Sequence, residues 1–151
     1  MSAFFHEQSD TALLTRILNI FRHYPISLLT FCVILYLSLY KPAGKSALMM
    51  FANMDKVAHF LMYATLSTVL WCEYYGSHYK VKYWRLLLSS LFVPSFFSWF
   101  MEYLQDKLTT YRTGDPYDLL FNVIGVICAN LFCFAVVRRI YGKRSKKKET
   151  R

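Results

Sequence analysis

Long apolar stretches recur along this chain, with short polar segments between them. Four of them have about the length of a membrane-spanning helix: Pro25 to Tyr40, Val57 to Tyr75, 84–104 and 117–137. Since about 20 apolar residues of α-helix cross the hydrocarbon core of a bilayer, the pattern predicts four transmembrane helices. The first stretch is short, so a cleaved signal peptide is the alternative interpretation. No small-residue cleavage site precedes Lys41, which favours an uncleaved span.

The amino-terminal segment is polar and partly amphipathic. Its apolar residues recur at helical spacing: Leu13, Leu14, Ile17, Leu18 and Phe21. This pattern predicts a short helix that lies on the membrane surface or packs below the bundle.

Prolines and small residues refine the predicted spans. Pro94 lies in the middle of the third span, where the missing backbone N–H predicts a kink. Pro116 suits the first position of the fourth helix, with Asp115 as its N-cap. Gly125 and Ala129 place small residues four apart on that helix, which favours close contact with a neighbouring helix.

Composition supports a membrane protein and argues against several other classes. The chain is 56% hydrophobic and 19% aromatic, which is more than a soluble domain of 151 residues usually has. The four cysteines lie in apolar runs without a CxxC pair, so neither a disulfide framework nor a zinc site is indicated. The net charge of +9 would suit nucleic acid or an anionic membrane surface. No nucleic-acid-binding motif accompanies the basic tail, so we expect a role in topology.

The distribution of basic residues predicts the orientation. Four spans put both termini and the 76–83 loop on one side of the membrane. Thirteen of the 18 Lys and Arg residues fall on that side. The other side holds Lys41, Lys45, Lys56, Lys107 and Arg112. By the positive-inside rule, both termini are predicted to be cytoplasmic in a multi-pass protein of the cell membrane.

Polar side chains interrupt the apolar stretches in two places. The first group is Asp55, Lys56, His59 and Tyr63, and the second is Glu102, Gln105, Arg112, Asp115, Asp118, Asn122 and Gly125. Because successive spans alternate in direction, both groups come to the extracytoplasmic ends of the second, third and fourth helices. Asp55, His59 and Tyr63 follow i, i+4, i+8 and share one helix face. The sequence therefore predicts one polar pocket that opens to the outer face.

Ionisable groups at membrane depth are costly unless they are paired or used, so this pocket is the candidate functional site. We predict acid or base roles for His59, Glu102 and Asp118. The predicted substrate-binding residues are Asp55, Lys56, Tyr63, Gln105, Arg112, Asp115 and Asn122. Lys56 and Arg112 would neutralise a phosphate or pyrophosphate. No cofactor or metal is assigned, although a divalent ion held by Asp55, His59, Glu102 and Asp118 is an alternative.

The same residues also have purely structural interpretations. In this interpretation Asp115 is a helix cap and nothing more. Glu102 or Asp118 would form a salt bridge with a neighbouring cation and take no part in any reaction. Glu73, near the cytoplasmic end of the second span, is expected to be solvated. The sequence contains no nucleophile motif, Gly-rich phosphate loop or HExxH. Whether the protein is an enzyme therefore stays open.

Three sequence blocks resemble the VanZ-like family of small bacterial membrane proteins. They are D-K-V-A-H-F-L-M-Y at 55–63, E-Y-L-Q at 102–105 and R-T-G-D-P-Y-D-L-L-F-N-V-I-G at 112–125. They occur in the family's order, and the match spans about half of the chain, from 55 to 130. The founding member is associated with low-level resistance to the glycopeptide teicoplanin. The resemblance implies a multi-pass envelope protein that affects cell-wall precursors or surface glycolipids, and it specifies no reaction.

The complete prediction is an all-α integral membrane bundle of four transmembrane helices. A cytoplasmic amphipathic segment at 1–23 precedes a VanZ-like membrane domain at 24–138, and a basic cytoplasmic tail follows at 139–151. The pocket is predicted to bind or modify a cell-envelope precursor or an isoprenoid-phosphate-linked lipid or glycan. A non-catalytic accessory protein with a structural polar network is the alternative. Membrane lipids and such an anionic ligand are the expected partners, nucleic acid is not, and the oligomeric state is open.

Overall fold

The chain folds as packed α-helices. The computed structural model describes residues 13–15, 17–39, 54–77, 81–108 and 115–140. The helices are α1 (Leu13–His23), α2 (Pro25–Leu39), α3 (Met54–Ser77), α4 (Tyr83–Leu108) and α5 (Pro116–Ala135), with a further helical turn at 137–140. No strand occurs in these ranges, which confirms the all-α prediction.

Two of the described helices are long and apolar enough to cross a membrane. They are α4 and the stretch Pro116–Ile140 that contains α5. The helices α1 and α2 meet the length and hydropathy requirement only together, so they would add a third span only as one unit with a bend of 86°. Polar and charged side chains interrupt α3, which is not among the candidate spans. The four-span bundle therefore stays a prediction.

The parallel helices α3 and α5 form the centre of the bundle. Running in the opposite direction, α4 packs against both of them, and α2 packs against α3 and α4. The helices α3 and α5 approach closely at Gly125, where an added Cβ would collide with the Phe60 carbonyl oxygen. Ala129, one turn further along α5, is also buried. The small residues thus allow the close helix contact that the sequence predicts.

Two clusters of buried apolar residues fill the interior along this helix pair. One cluster is Ile34, Tyr63, Leu66, Leu70 and Val126, and the other is Trp71, Tyr74, Leu86, Cys133 and Val137. Large apolar side chains on the outer surfaces are exposed, including Trp84, Phe96 and Leu131. Such a surface is typical of a protein whose helices face lipid.

The predicted disturbance at Pro94 takes the form of a π-helical turn. This turn, Leu88–Phe92, directly precedes the α-helical segment Val93–Leu108. Proline has no N–H, so the Ser90 carbonyl cannot receive the usual α-helical hydrogen bond from residue 94. That carbonyl accepts hydrogen bonds from Ser67 Oγ at 2.9 Å and Asn130 Nδ2 at 3.1 Å.

Asn130 connects three helices through its side-chain amide. Its Nδ2 donates to Ser67 Oγ at 2.9 Å as well as to Ser90 O, and its Oδ1 accepts from Trp71 Nε1 and Ser90 Oγ, both at 2.7 Å. We call Asn130, Ser67, Ser90 and Trp71 the Asn130 cluster. All four side chains are buried, so the cluster links α3, α4 and α5 in a region where water could not replace these bonds.

Glu73 corrects one expectation from the sequence. Its carboxylate is half-buried and accepts hydrogen bonds from Ile26 N at 2.7 Å and Ser27 N at 2.9 Å, and also from the Ser27 hydroxyl. The first amides of a helix have no partner within the helix, and a negative charge near them is favourable. Glu73 is therefore the cap of α2 and is not simply solvated.

We expect Gly125→Ala to lower the free energy of unfolding by about 1–3 kcal/mol, the usual cost of overpacking. The obstructing atom is a backbone carbonyl of α3, so the two helices would have to separate. Thermal unfolding in detergent micelles measures this. Gly76→Ala is the matched control, since no atom lies within 4 Å of its added Cβ. Equal destabilisation by both changes would contradict the packing argument.

We expect Asn130→Ala to lower the free energy of unfolding by about 2 kcal/mol or more, because it leaves buried donors such as the Trp71 indole N–H without their acceptor. Ser89→Ala is the control, since the Ser89 hydroxyl donates to Leu86 O of its own helix at 2.9 Å. Denaturant titration in micelles compares the two variants. A loss for Asn130→Ala no larger than that for Ser89→Ala would show that the cluster does not stabilise the bundle.

Candidate functional site

Polar side chains from three helices meet at one end of the bundle. They come from the start of α3, the end of α4 and the start of α5. The two polar groups in the sequence thus lie together in space, as their positions on alternating helices predict.

His59 is the centre of this end of the bundle and is 3% exposed. Its Nε2 lies 3.7 Å from Asp118 Oδ2 and 4.0 Å from Asp55 Oδ1. Asp118 is buried in the first turn of α5, whereas Asp55 is more than half exposed in the first turn of α3. We call Asp55, His59 and Asp118 the His59 trio.

A polar chain continues from His59 into the bundle. His59 Nδ1 lies 3.2 Å from Asn122 Oδ1, and Asn122 Nδ2 donates to Ser98 Oγ at 2.8 Å. The Tyr63 hydroxyl also interacts with the Ser98 side chain. Asn122, Ser98 and Tyr63 are all buried. Ser98 is not among the predicted site residues, although its position one turn before Glu102 on the same helix was a usable signal.

Asp115 and Glu102 form the rim of the site. Asp115 caps α5 as predicted, because its Oδ1 accepts from Tyr117 N at 2.9 Å, with Pro116 at the first helical position. Its own amide donates to Glu102 Oε1 at 2.5 Å. Lys56 Nζ lies 3.9 Å from Asp115 Oδ2. Because both partners of that pair are partly exposed, it contributes little stability.

Two further predicted binding residues are Gln105 and Arg112. Gln105 is buried, and its Nε2 donates to the Ser38 carbonyl near the end of α2 at 3.0 Å. This bond joins α4 to α2. Arg112 lies outside the described residues, so its predicted role as a phosphate-binding residue stays a prediction.

The described part of the site has more negative than positive groups. Carboxylates of Asp55, Glu102, Asp115 and Asp118 surround one lysine, Lys56, and the His59 ring. An excess of carboxylates favours positive charge nearby. The site is therefore suited to hold a cation, and an anionic ligand would need added positive charge to bind.

An apolar cleft lies beside the inner end of the polar chain. It has a volume of about 400 Å³ and is lined by Phe31, Phe92, Val93, Phe96, Phe97 and Phe100, from α2 and α4. We call it the phenylalanine cleft. The Phe31 and Phe97 rings meet edge to face at 4.6 Å, and the Phe97 ring lies 6.2 Å from the Tyr63 ring. Tyr63 therefore lies between the cleft and the polar chain.

These features define a class: a helical protein with long apolar helices, lipid-compatible outer surfaces and a buried polar site at one end. The family model described as VanZ/LLP1 matches residues 3–138, nearly the whole chain. The chain therefore belongs to the VanZ/LLP1 family, and the resemblance carried by its polar residues is confirmed. Family membership and the two apolar helices together point to a membrane protein. Comparison with curated proteins and with solved structures found no match.

Proposed function

We propose that this protein binds a lipid-linked cell-envelope molecule, with the anionic headgroup at the polar site and the hydrocarbon chain in the phenylalanine cleft. The observation that carries the proposal is the continuity of the two features through Tyr63, which interacts with Ser98 on one side and with Phe97 on the other. A ligand suited to both features is polar at one end and apolar at the other. An isoprenoid phosphate, alone or linked to a glycan, has this form.

The residues of the site support distinct roles toward such a headgroup. Lys56 is a rim cation on a flexible side chain, and its pair with Asp115 is long at 3.9 Å, so it can turn to a phosphate. Arg112, three residues before Asp115 in the sequence, would add a second positive charge. Glu102 already accepts the Asp115 amide. The residues better placed to meet the headgroup are therefore His59 and Asp118, whose atoms approach to 3.7 Å.

The alternative, a non-catalytic accessory or interaction protein, is favoured by a different observation. Several predicted site residues already have structural contacts: Asp115 caps α5, Glu102 binds the Asp115 amide and Gln105 binds the Ser38 carbonyl. A network of this kind would stabilise the helix ends without a ligand. Lipid binding distinguishes the two functions, because only the first requires a headgroup at His59.

The proposal places the polar site at the outer leaflet, with four spans and both termini cytoplasmic, from the distribution of basic residues. Reporter fusions at Lys45 and Thr110, which precede α3 and α5, should then report the extracytoplasmic side. A fusion at Tyr79, between α3 and α4, is the control and should report the cytoplasm. A cytoplasmic signal at Lys45 or Thr110 would contradict the predicted orientation.

We expect the purified protein to bind an isoprenoid phosphate more tightly than the matching isoprenoid alcohol, since the headgroup contributes at the polar site. His59→Ala should remove most of this preference. Val93→Trp, which fills the phenylalanine cleft, should weaken binding about tenfold, or about 1.4 kcal/mol. Leu131→Trp on the exposed face of α5 is the matched control and should bind normally. Quenching of intrinsic fluorescence or microscale thermophoresis in detergent measures the affinities.

The lipid-binding proposal fails if the wild-type protein does not distinguish the phosphate from the alcohol. It also fails if Val93→Trp and Leu131→Trp reduce affinity equally, since the cleft would then have no role. Thermal unfolding of each variant in the same detergent separates loss of binding from loss of the fold.

A further inference from the structure

We infer that Asp55, His59 and Asp118 bind one divalent transition-metal ion, such as Mn²⁺, Co²⁺ or Zn²⁺. One possible ligand atom from each residue of the His59 trio lies within 4.8 Å of the other two. Two adjacent turns of α3 and the first turn of α5 hold these side chains. The three ligands therefore come from regular helices that pack tightly against each other.

Two of the three separations within the trio suit ligands of a shared ion. Metal bonds to imidazole nitrogen and carboxylate oxygen are about 2.0–2.2 Å long, so two ligand atoms of one ion lie about 3–4 Å apart. The two observed N···O separations are 3.7 and 4.0 Å. Both exceed the usual length of an N–H···O hydrogen bond, about 2.7–3.2 Å.

The far side of the His59 ring supplies an independent observation. Asn122 Nδ2 donates to Ser98 Oγ, which turns Asn122 Oδ1 toward His59 Nδ1 at 3.2 Å. An acceptor there places the N–H on Nδ1 and leaves the lone pair of Nε2 directed at the two carboxylates. A metal-binding histidine typically has such a hydrogen bond on its other nitrogen. Nε2 then needs a positive charge beside it, which either a metal ion or a proton would provide.

The ligand set indicates the type of ion. One imidazole with two carboxylates suits first-row transition metals, whereas Mg²⁺ and Ca²⁺ prefer oxygen ligands alone. His59 and Asp118 are buried and Asp55 is exposed, so the ion would enter past Asp55. In the lipid-binding function proposed above, on which this step rests, the ion would give the carboxylate-rich site the positive charge that a phosphate requires.

Metal binding is tested on the full-length protein in detergent, with any affinity tag removed and with Co²⁺ alone as the probe. Titration should give one Co²⁺ per chain, with visible absorption bands typical of bound cobalt and a rise in the melting temperature. Asp55→Asn and Asp118→Asn preserve side-chain shape, and each should weaken Co²⁺ binding at least tenfold. Asp106→Asn is the matched control, since it removes an exposed carboxylate beside Lys107 and should bind as the wild type does.

The absence of stoichiometric Co²⁺ binding to a folded wild-type protein would overturn the inference and leave a protonated His59 as the source of charge. Equal weakening by Asp55→Asn and Asp106→Asn would also overturn it, since binding would then reflect overall charge. Co²⁺ binding without isoprenoid-phosphate binding would support the metal site and reject the lipid. Phosphate-dependent lipid binding that is unchanged by Co²⁺, in a protein that binds no Co²⁺, would reject the metal site alone.

Discussion

The close approach of α3 and α5 at Gly125 and Phe60 is the contact on which the rest of the structure depends. A side chain at Gly125 would meet the Phe60 backbone, so the two helices reach their spacing only because this residue is glycine. His59 directly precedes Phe60, and Asn122 lies one turn before Gly125 on the facing helix. Asn130 lies beyond the contact, within hydrogen-bond reach of Ser67 and Trp71. One backbone contact therefore sets the distance across both polar clusters.

The two clusters on either side of this contact differ in charge and in their physical consequences. The Asn130 cluster is neutral, and both polar atoms of the Asn130 amide have hydrogen-bond partners in the interior. Buried neutral groups that are fully hydrogen-bonded stabilise a unique packing of helices. The His59 trio instead places two carboxylates beside one imidazole. Buried charges are costly to desolvate, and apolar replacements of similar shape often give a more stable protein. Stability alone is thus a poor explanation for the trio.

The part of the structure that was predictable from sequence is the part determined by local spacing. Asp55 and His59 share a helix face because they are four residues apart, and Asp115 caps α5 because Pro116 follows it. The packing at Gly125 was predictable for the same reason, since small residues four apart mark a close helix contact. The convergence of three helix ends was predictable because successive spans alternate in direction. Each of these features depends on neighbours in the sequence or on the order of the helices.

The residues that sequence reasoning missed depend on partners that are distant in the sequence. Glu73 caps a helix that starts 48 residues earlier, at Pro25, and nothing near Glu73 indicates this. Ser98 and Asn130 look like ordinary polar interruptions until Asn122 and the π-helical turn before Pro94 are placed beside them. The sequence predicts a kink at Pro94. The structure shows a second effect of the missing N–H: the Ser90 carbonyl accepts hydrogen bonds from side chains of two other helices.

The electrostatics of the site limit its chemistry more strongly than the list of its residues does. In the sequence, Lys56 and Arg112 predict a phosphate site. In the described part of the structure, however, Lys56 pairs with Asp115, and carboxylates predominate around His59. A phosphate brought near these carboxylates would be repelled unless positive charge is added. A metal ion, a proton on His59, or Arg112 could supply that charge. An anionic headgroup and its compensating cation would therefore bind in a mutually dependent way, each increasing the affinity of the other.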